Sequence, residues 1–136
     1  MREPTANEVF ETEAFVIRTS PSVAGVVRLV AAYQPGARLR SLSGMNVSVG
    51  DHEPPPGGSN IRLGLAILLK RMASGYLSPY EGHAAYETLH PFTDGNGRSG
   101  RALWLWHMGG IERAPLGFLH HWYYQSLSNS NDELSK

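Results

Sequence analysis

The sequence contains no cysteine among its 136 residues. That absence excludes disulfide bridges, thiol nucleophiles and zinc–thiolate sites, and it leaves the redox compartment open. An excess of charge of either sign is also lacking, because 12 Lys and Arg residues balance 12 Asp and Glu residues. A net charge of zero predicts no direct binding to nucleic acid and no attraction to acidic membranes.

Long hydrophobic runs are missing as well. The longest apolar run, residues 63–69, includes Gly64 and is far shorter than a bilayer-spanning helix requires. The first 13 residues hold four glutamates and no basic segment followed by an apolar one, so no secretory signal is predicted. We therefore expect no membrane partner and a cytoplasmic location, either in the producing cell or, for a delivered effector, in another cell.

Helical signals dominate what the sequence does contain. The length predicts a single domain over residues 1–136, with N-terminal helices in residues 1–34. We predict helices in residues 1–18, from Ser20-Pro21 to Pro35-Gly36, from Ser59 or Asn60 to Gly75, from Ser78-Pro79 to Pro91, from about Arg98 to Met108, and from Pro115 to about Leu127. Their expected buried positions are Val23, Val26, Val27, Val30 and Ala31, then Ile61, Leu65, Leu68, Leu69 and Met72, then Ala84, Ala85 and Leu89.

One segment alternates with a period of two and predicts a short strand. Its residues are Met45, Asn46, Val47, Ser48, Val49 and Gly50. The proline- and glycine-rich run at residues 54–58 cannot join a central ladder, which places the strand in an edge hairpin or flap within residues 41–58. The polar tail, residues 128–136, is expected to be disordered. The predicted fold class is all-α, a helical bundle with a short β-hairpin flap.

The run His-Pro-Phe-Thr-Asp-Gly-Asn-Gly-Arg-Ser-Gly-Arg, residues 90–101, is the most informative part of the chain. Pro91 ends the incoming helix, and Gly95 and Gly97 let the backbone turn tightly before the next helix begins. The N-terminus of that helix offers free N–H groups to an anion. Arg98 and Arg101 are spaced i and i+3, so they share a helix face and can clamp neighbouring phosphates.

Two further side chains of the run carry reactive chemistry. Asp94 supplies hard carboxylate oxygens of the kind that bind a magnesium ion bridging phosphates. His90 has the side chain best suited to accept a proton from a hydroxyl near neutral pH. The run therefore predicts a phosphate-handling active site.

Several other interpretations of the same letters remain. Gly95-x-Gly97-x-x-Gly100 matches a dinucleotide fingerprint, but no strand precedes it and no acid lies about 20 residues further on. A Walker A loop would require Lys-Ser/Thr where Arg101-Ala102 stands. A calcium loop would have Arg98 at a ligand position and Leu105 in place of its closing glutamate. A purely structural helix–loop–helix would not need this cluster of charged groups.

The run resembles the signature of Fic-domain (Fic/Doc-like) proteins, His-Pro-Phe-x-Asp/Glu-Gly-Asn-Gly-Arg-x-x-Arg, with every defined position present. The similarity extends over roughly residues 35–127. Residues 38–40, the predicted strand and His52-x-Pro54-Pro55 resemble the target-docking flap of that family, and residues 78–89 resemble the helix that leads into the signature.

The resemblance implies a role for each residue of the run. His90 is expected to be the general base, Phe92 an anchor of the loop in the core, and Asp94 the magnesium ligand between the α- and β-phosphates. The α-phosphate is expected at the N–H groups near Gly95 and Gly97, with the Asn96 side chain beside them. Arg98 is expected near the β-phosphate, and Arg101 at the terminal phosphate or the loop itself. The complete phosphate-binding set is expected to be Gly95, Asn96, Gly97, Arg98, Gly100 and Arg101.

The activity implied by the resemblance is that of a nucleotidyltransferase, namely transfer of AMP from ATP to a Ser, Thr or Tyr hydroxyl of a target protein. Mg²⁺ is the expected cofactor, and ATP and the target are the expected partners, with residues 45–50 docking the target. Two alternatives stay open: transfer of a different nucleotide or phosphate-bearing moiety, and a catalytically silent module that binds a peptide at the flap.

Many Fic proteins carry an inhibitory helix with the pattern Ser/Thr-x-x-x-Glu, and no Ser or Thr in this chain has Glu four residues later. The nearest approach is Ser128 with Asp132. The resemblance therefore implies that inhibition comes from elsewhere, such as a small antitoxin-like subunit that inserts a glutamate beside Arg101.

Aromatic and histidine residues outside the run are expected to have mainly structural roles. His83 shares a helix face with His90 by its seven-residue spacing. His120 and His121 lack a metal-ligand spacing with an acid or a third histidine. Trp104 and Trp106 flank Leu105, so at most one of them faces the core, and the other can line the nucleotide pocket. Tyr123 and Tyr124 can also border that pocket, with simple packing as the favoured role.

Overall fold

The computed structural model describes residues 4–18 and 20–109. Five α-helices form the described part of the chain: α1 (Ala6–Val16), α2 (Val23–Tyr33), α3 (Ser59–Ala73), α4 (Pro79–Leu89) and α5 (Asn96–His107). No sheet is present within this part, so the fold is all-helical as predicted. The predicted helix from Pro115, the tail from Ser128, and the positions His120, His121, Tyr123 and Tyr124 lie outside the described residues.

Helix α5 lies against α1, α2 and α4, and α3 packs on α2 and α4. This arrangement places the start of α5, which carries the second half of the signature, in the middle of the bundle. Its buried residues include Ala102, Leu103 and Leu105, which join the core formed by the other helices. The signature is therefore fixed on packed helices on both sides of its loop.

Local sequence signals set several helix ends. The side chain of Ser78 accepts a hydrogen bond from the Glu81 N–H, the Glu81 side chain accepts one from the Ser78 N–H, and Pro79 is the first helical residue. Such a capping box satisfies two otherwise unpaired donors. Helix α3 buries all five predicted positions, from Ile61 to Met72. Both features were readable from sequence because they depend on neighbouring residues.

Three helix starts differ from their predictions. Helix α2 is capped by Ser22, whose hydroxyl accepts from the Gly25 N–H, so the start lies two residues after Ser20-Pro21. Helix α3 begins after Gly58 without a side-chain cap. Helix α5 begins at Asn96, two residues before Arg98, because Gly95 adopts a left-handed conformation with φ of 79° and turns the chain directly into the helix.

The predicted buried faces of α2 and α4 are partly wrong. In α2 the buried set is Gly25, Val26, Leu29, Val30 and Tyr33, whereas Val27 and Ala31 are exposed. Nearly every residue of α2 is apolar, so the sequence pattern could not select a face, and packing against α1 and α5 selected it. In α4 the buried residues are Gly82 and Tyr86, while Ala84 is exposed and Ala85 and Leu89 are partly buried.

The predicted strand at residues 45–50 does not form. A single antiparallel bridge joins Val49 to His52 across a two-residue turn, so the flap is a minimal hairpin. Upstream of it, the Met45 N–H bonds back to the Leu42 carbonyl, and the Asn46 side chain accepts from the Gly57 N–H. These bonds within the loop take up polar groups that a longer ladder would have used.

Candidate active site

His90 lies at the C-terminus of α4 in a left-handed conformation, with φ of 48° and ψ of 62°. It is the one non-glycine residue with positive φ within residues 4–18 and 20–109. Such a conformation costs free energy in a residue with a side chain and persists only where the surroundings hold it. Here the His90 N–H donates to Tyr86 and its carbonyl accepts from Arg40.

The loop after His90 pairs with the segment that precedes the flap. Phe92 forms an isolated antiparallel bridge with Leu39, the Arg40 N–H donates to the Pro91 carbonyl at 2.9 Å, and the Thr93 N–H donates to Arg38 at 2.9 Å. Phe92 itself is 1% exposed and lies in the core. The loop is thus held by backbone bonds outside and by an aromatic anchor inside.

Asn96 closes the loop from within. Its side-chain oxygen accepts from the Phe92 N–H at 2.9 Å, and its side-chain nitrogen donates to the Phe92 carbonyl at 2.8 Å. Both ends of the amide are therefore engaged with one backbone residue, which fixes the loop at the start of α5. The predicted contact of this amide with the α-phosphate stays a prediction.

The N-terminus of α5 retains the features of an anion site. Its cap residue, Gly95, has no side chain to satisfy the first N–H groups of the helix. Asp94 lies beside it, partly exposed, and one of its oxygens accepts from the Gly95 N–H at 2.8 Å. The second oxygen of Asp94 is suited to a cation. Gly97, the next residue into the helix after Asn96, is also partly exposed.

Arg98 occupies a different environment from the one expected of a phosphate clamp. The residue is 1% exposed, and its guanidinium donates to the Tyr33 carbonyl at 2.9 Å and to the Gln34 side-chain oxygen at 3.0 Å. A carboxylate oxygen of Glu8 lies 3.5 Å away. These contacts join α5 to α1 and to the end of α2. A β-phosphate contact would require Arg98 to leave them, and it stays a prediction.

Arg101 and Gly100 lie one turn further along α5. Arg101 is partly exposed, so the two arginines of the signature differ in environment although they share a helix face. Gly100 packs against α4: a Cβ atom there would lie 3.2 Å from the Tyr86 ring. The structure gives Gly100 a packing role, and its predicted place in the phosphate-binding set rests on the resemblance alone.

A buried polar network supports the start of α5. The hydroxyls of Tyr86 and Ser99 are 2.7 Å apart, and the Ser99 hydroxyl donates to the Gly95 carbonyl at 2.8 Å. Burial raises the pKa of Tyr86 well above its ordinary value, so its hydroxyl stays protonated. The network connects α4, which ends in His90, to the helix start that would bind phosphate.

The environment of His90 favours the neutral imidazole. Burial is the main cause that lowers the pKa of His90, the positive charge of Arg40 and that of His52 lower it further, and Asp94 opposes them. A neutral imidazole has a free lone pair for a hydroxyl proton. His90 is half-buried, so the ring keeps access to a substrate.

Sequence reasoning missed two residues that organise this site, Arg40 and Glu8. In the sequence Arg40 belongs only to a segment that resembles the flap, yet in the structure it is fully buried. Glu8 is 1% exposed, and its hydrogen bonds with Thr5 form a capping box at the start of α1. The Thr-x-x-Glu spacing gave a signal for that cap. No sequence pattern indicated that Arg40 and Glu8 are buried or which distant residues they contact.

The remaining aromatic and histidine candidates have structural contacts. His83 Nε2 lies 3.5 Å from Glu87 on the surface of α4. Trp106 is packed against the core and donates its indole N–H to the Arg18 carbonyl at 2.8 Å. Trp104 is partly buried. The polar contact of His83 lies within α4, and Trp106 combines core packing with one hydrogen bond, so the observed contacts of both residues are structural.

Metal binding at this site would involve few protein ligands. Within residues 4–18 and 20–109, no cluster of three or more His, Asp or Glu side chains is suited to hold a metal ion. A lone carboxylate such as Asp94 fits a magnesium ion that takes its other ligands from phosphates and water. No helix in the same part of the chain is long and apolar enough to cross a bilayer.

Comparison with known proteins gives a family match over the part of the chain that carries His90, its loop and α5. The family model described as Fic/DOC family matches residues 28–108, which is more than half of the chain. No curated protein and no solved structure matched the chain. The matched region runs from α2 through the flap to the end of α5 and contains the entire signature. The chain therefore belongs to the Fic/DOC family.

Proposed function

We propose that this protein is a magnesium-dependent protein adenylyltransferase, which transfers AMP from ATP to a Ser, Thr or Tyr hydroxyl of a target protein. One observation carries the proposal: His90, with its lowered pKa, is fixed at the end of α4 just before a helix N-terminus that has no side-chain cap. A proton acceptor and an anion site are thereby joined by one short, rigid loop. Transfer of a nucleotidyl group to a hydroxyl is accelerated by both.

The proposed reaction forms one bond and breaks one. The target hydroxyl oxygen attacks the α-phosphorus of ATP while the neutral His90 imidazole accepts the hydroxyl proton. The bond from the α-phosphorus to the bridging oxygen breaks, and pyrophosphate leaves with its electron pair. The N–H groups at the start of α5, those of Asn96 and Gly97, would stabilise the charge that develops on the α-phosphate.

Asp94 is the residue that would hold magnesium, which when bound neutralises charge on the phosphates. We propose that Arg101, partly exposed, is the arginine that reaches the terminal phosphate. Arg98 supports the site by holding α5 against α1 and α2, since its contacts in this structure are with Glu8, Tyr33 and Gln34.

The protein partner of the reaction is proposed to dock at the flap. The Val49–His52 hairpin lies on the His90 side of the bundle, because the His52 ring bonds to the Thr88 carbonyl at the end of α4 at 3.0 Å. A second proposed partner is a small helical subunit that inserts a glutamate beside Arg101. Such a charge pair would displace the terminal phosphate.

The test is incubation of the purified protein and a cell lysate with ATP labelled on either the α- or the γ-phosphate. Protein labelling from α-labelled ATP alone, lost on chelation of Mg²⁺ and in Asp94→Asn, is the expected result. Labelling from γ-labelled ATP, or only from another nucleotide, would identify a different transferred group. Absence of labelling from every nucleotide, together with no rise in melting temperature at millimolar ATP and Mg²⁺, would identify a silent binding module.

A further inference from the structure

Arg40 is a completely buried arginine whose hydrogen-bond partners are carbonyl groups. Its guanidinium donates from Nε to His90 at 2.8 Å, from Nη2 to Leu89 at 3.0 Å, and from Nη1 to Met45 at 3.0 Å and Pro55 at 2.9 Å. Burial lowers the pKa of the guanidinium, a cost that these four acceptors offset.

The four carbonyls come from two parts of the site. Those of Leu89 and His90 end α4, where the helix dipole favours a cation. Those of Met45 and Pro55 lie on the two sides of the flap. The backbone of Arg40 adds two bonds, to the Pro91 carbonyl and from the Gly58 N–H, each at 2.9 Å. One residue thus connects the base, its loop and both ends of the flap.

We propose that Arg40 is the positioning residue of His90, holding the base in its left-handed conformation and coupling it to the flap that receives the target. The planar guanidinium is suited to this, because its donors are fixed in a fork that reaches several acceptors at once. Arg40 does not bind nucleotide, since it is 0% exposed and four of its five N–H donors are already engaged.

Arg40 acts on His90 in two ways, by positioning it through hydrogen bonds and by its positive charge. Two other charged or titratable groups, His52 and Asp94, also act on the protonation of His90. The charge of Arg40 opposes protonation of the His90 imidazole, as does His52 when it is protonated, whereas Asp94 favours it. Arg40→Lys keeps the positive charge but offers a single nitrogen, which cannot reach four carbonyls. Arg40→Gln removes both the charge and the fork. The two variants therefore distinguish positioning from charge.

The experiment measures transfer to the target by wild type, Arg40→Lys, Arg40→Gln and the exposed control Arg62→Gln, well below their melting temperatures. This test rests on the proposed function. Both Arg40 variants are expected to lose about tenfold to a hundredfold in kcat, as a misplaced catalytic group does. KM for ATP is expected to stay within about twofold of the wild-type value, because Arg40 does not contact the nucleotide. The acid limb of the pH profile should move to higher pH in Arg40→Gln only, and Arg62→Gln should match wild type.

Wild-type kcat in folded Arg40→Lys would overturn the positioning role, and so would a failure of both variants to fold, which would make Arg40 a stability residue. The NMR signals of the His90 ring test the same geometry without turnover: they should shift in Arg40→Lys and stay in place in Arg62→Gln. Unchanged His90 signals in Arg40→Lys would reject the inference. Lack of transfer by the wild type rejects the proposed function instead, and the His90 signals still decide the role of Arg40.

Discussion

A carboxylate oxygen of Glu8 lies 3.5 Å from the guanidinium of Arg98, and both side chains are 2% exposed. The other oxygen of Glu8 accepts from the Thr5 N–H at 3.0 Å, so one carboxylate caps α1 and neutralises an arginine of the signature. This pair connects the first helix, which lies outside the region matched by the family model, to the start of the phosphate-binding helix. The N-terminal helix is therefore part of the support of the site.

Removing the Glu8 charge should destabilise the protein. We expect Glu8→Gln to lower the free energy of unfolding by about 3–5 kcal/mol, because it leaves a buried arginine without its counter-charge. Urea denaturation measures the change. The matched control is Glu11→Gln on the same helix, whose carboxylate pairs with the exposed Arg28 at 2.9 Å and should matter less. Equal losses of unfolding free energy in the two variants would show that the buried pair stabilises the protein no more than the exposed pair does.

The general base should be replaceable without loss of nucleotide binding. We expect His90→Ala to lower the transfer rate by about 10²–10⁴-fold, the usual cost of losing a general base. The rise in melting temperature with ATP and Mg²⁺ should persist, since His90 does not contact the phosphates in the proposed reaction. His83→Ala, on the same helix but paired with Glu87 at the surface, is the control and should keep full activity. Near wild-type transfer by His90→Ala would contradict the assignment.

The pH dependence of transfer should reflect the environment of His90. Burial lowers the pKa of His90 below its ordinary value, and the charges of Arg40 and His52 lower it further. The base therefore stays neutral as the pH falls through the ordinary value of about 6.5, and the acid limb of the kcat profile should lie below that pH.

The free energy of unfolding should also depend on the pKa of His90. The unfolded chain takes up the His90 proton at a higher pH than the folded chain does, so this residue reduces the free energy of unfolding as the pH falls below about 6.5. NMR titration of the His90 ring measures its pKa directly. A midpoint at or above the ordinary histidine value would contradict both expectations.

The flap should affect the target more than the nucleotide. Val49→Pro removes the N–H that bonds to the His52 carbonyl at 3.0 Å, so the hairpin should open. We expect a higher KM for the target protein and an unchanged shift in melting temperature with ATP. Val47→Pro should act in the same direction if an extended target segment pairs with the backbone of residues 45–50. Val49→Ala retains the N–H and serves as the control. Parallel loss of target and ATP binding in folded Val49→Pro would show that the flap is not a separate docking element.

Inhibition should come from outside the chain. Expressed alone, the protein is expected to be active and to slow the growth of its host, and Arg101→Gln should lower its transfer activity because a terminal phosphate contact is lost. Growth assays and labelled ATP measure the two effects. Lys70→Gln, on the exposed surface of α3, is the charge-matched control. Higher activity in Arg101→Gln would indicate that inhibition is internal.

Sequence patterns located the helices well where neighbouring residues decide the structure. The cap at Ser78 and the stripe of α3 were predicted residue by residue because both depend on contacts within one or two turns. The prediction of a strand at residues 45–50 was wrong because polar groups of this segment bond within the loop and to Arg40. Alternation of apolar and polar residues cannot report those competing bonds.

The sequence by itself predicted a helical chain and singled out residues 90–101 as the candidate active site, because this run supplies a histidine, a carboxylate, glycines and arginines in a fixed order. Only the tertiary structure decided which of these side chains are buried among partners from other segments and which stay partly exposed. Arg98 and Arg40 carry the same charged group as Arg101, yet both are buried by partners up to 65 residues away. The physical reason is that burial of a charge depends on acceptors assembled from distant segments, and local sequence does not encode their positions.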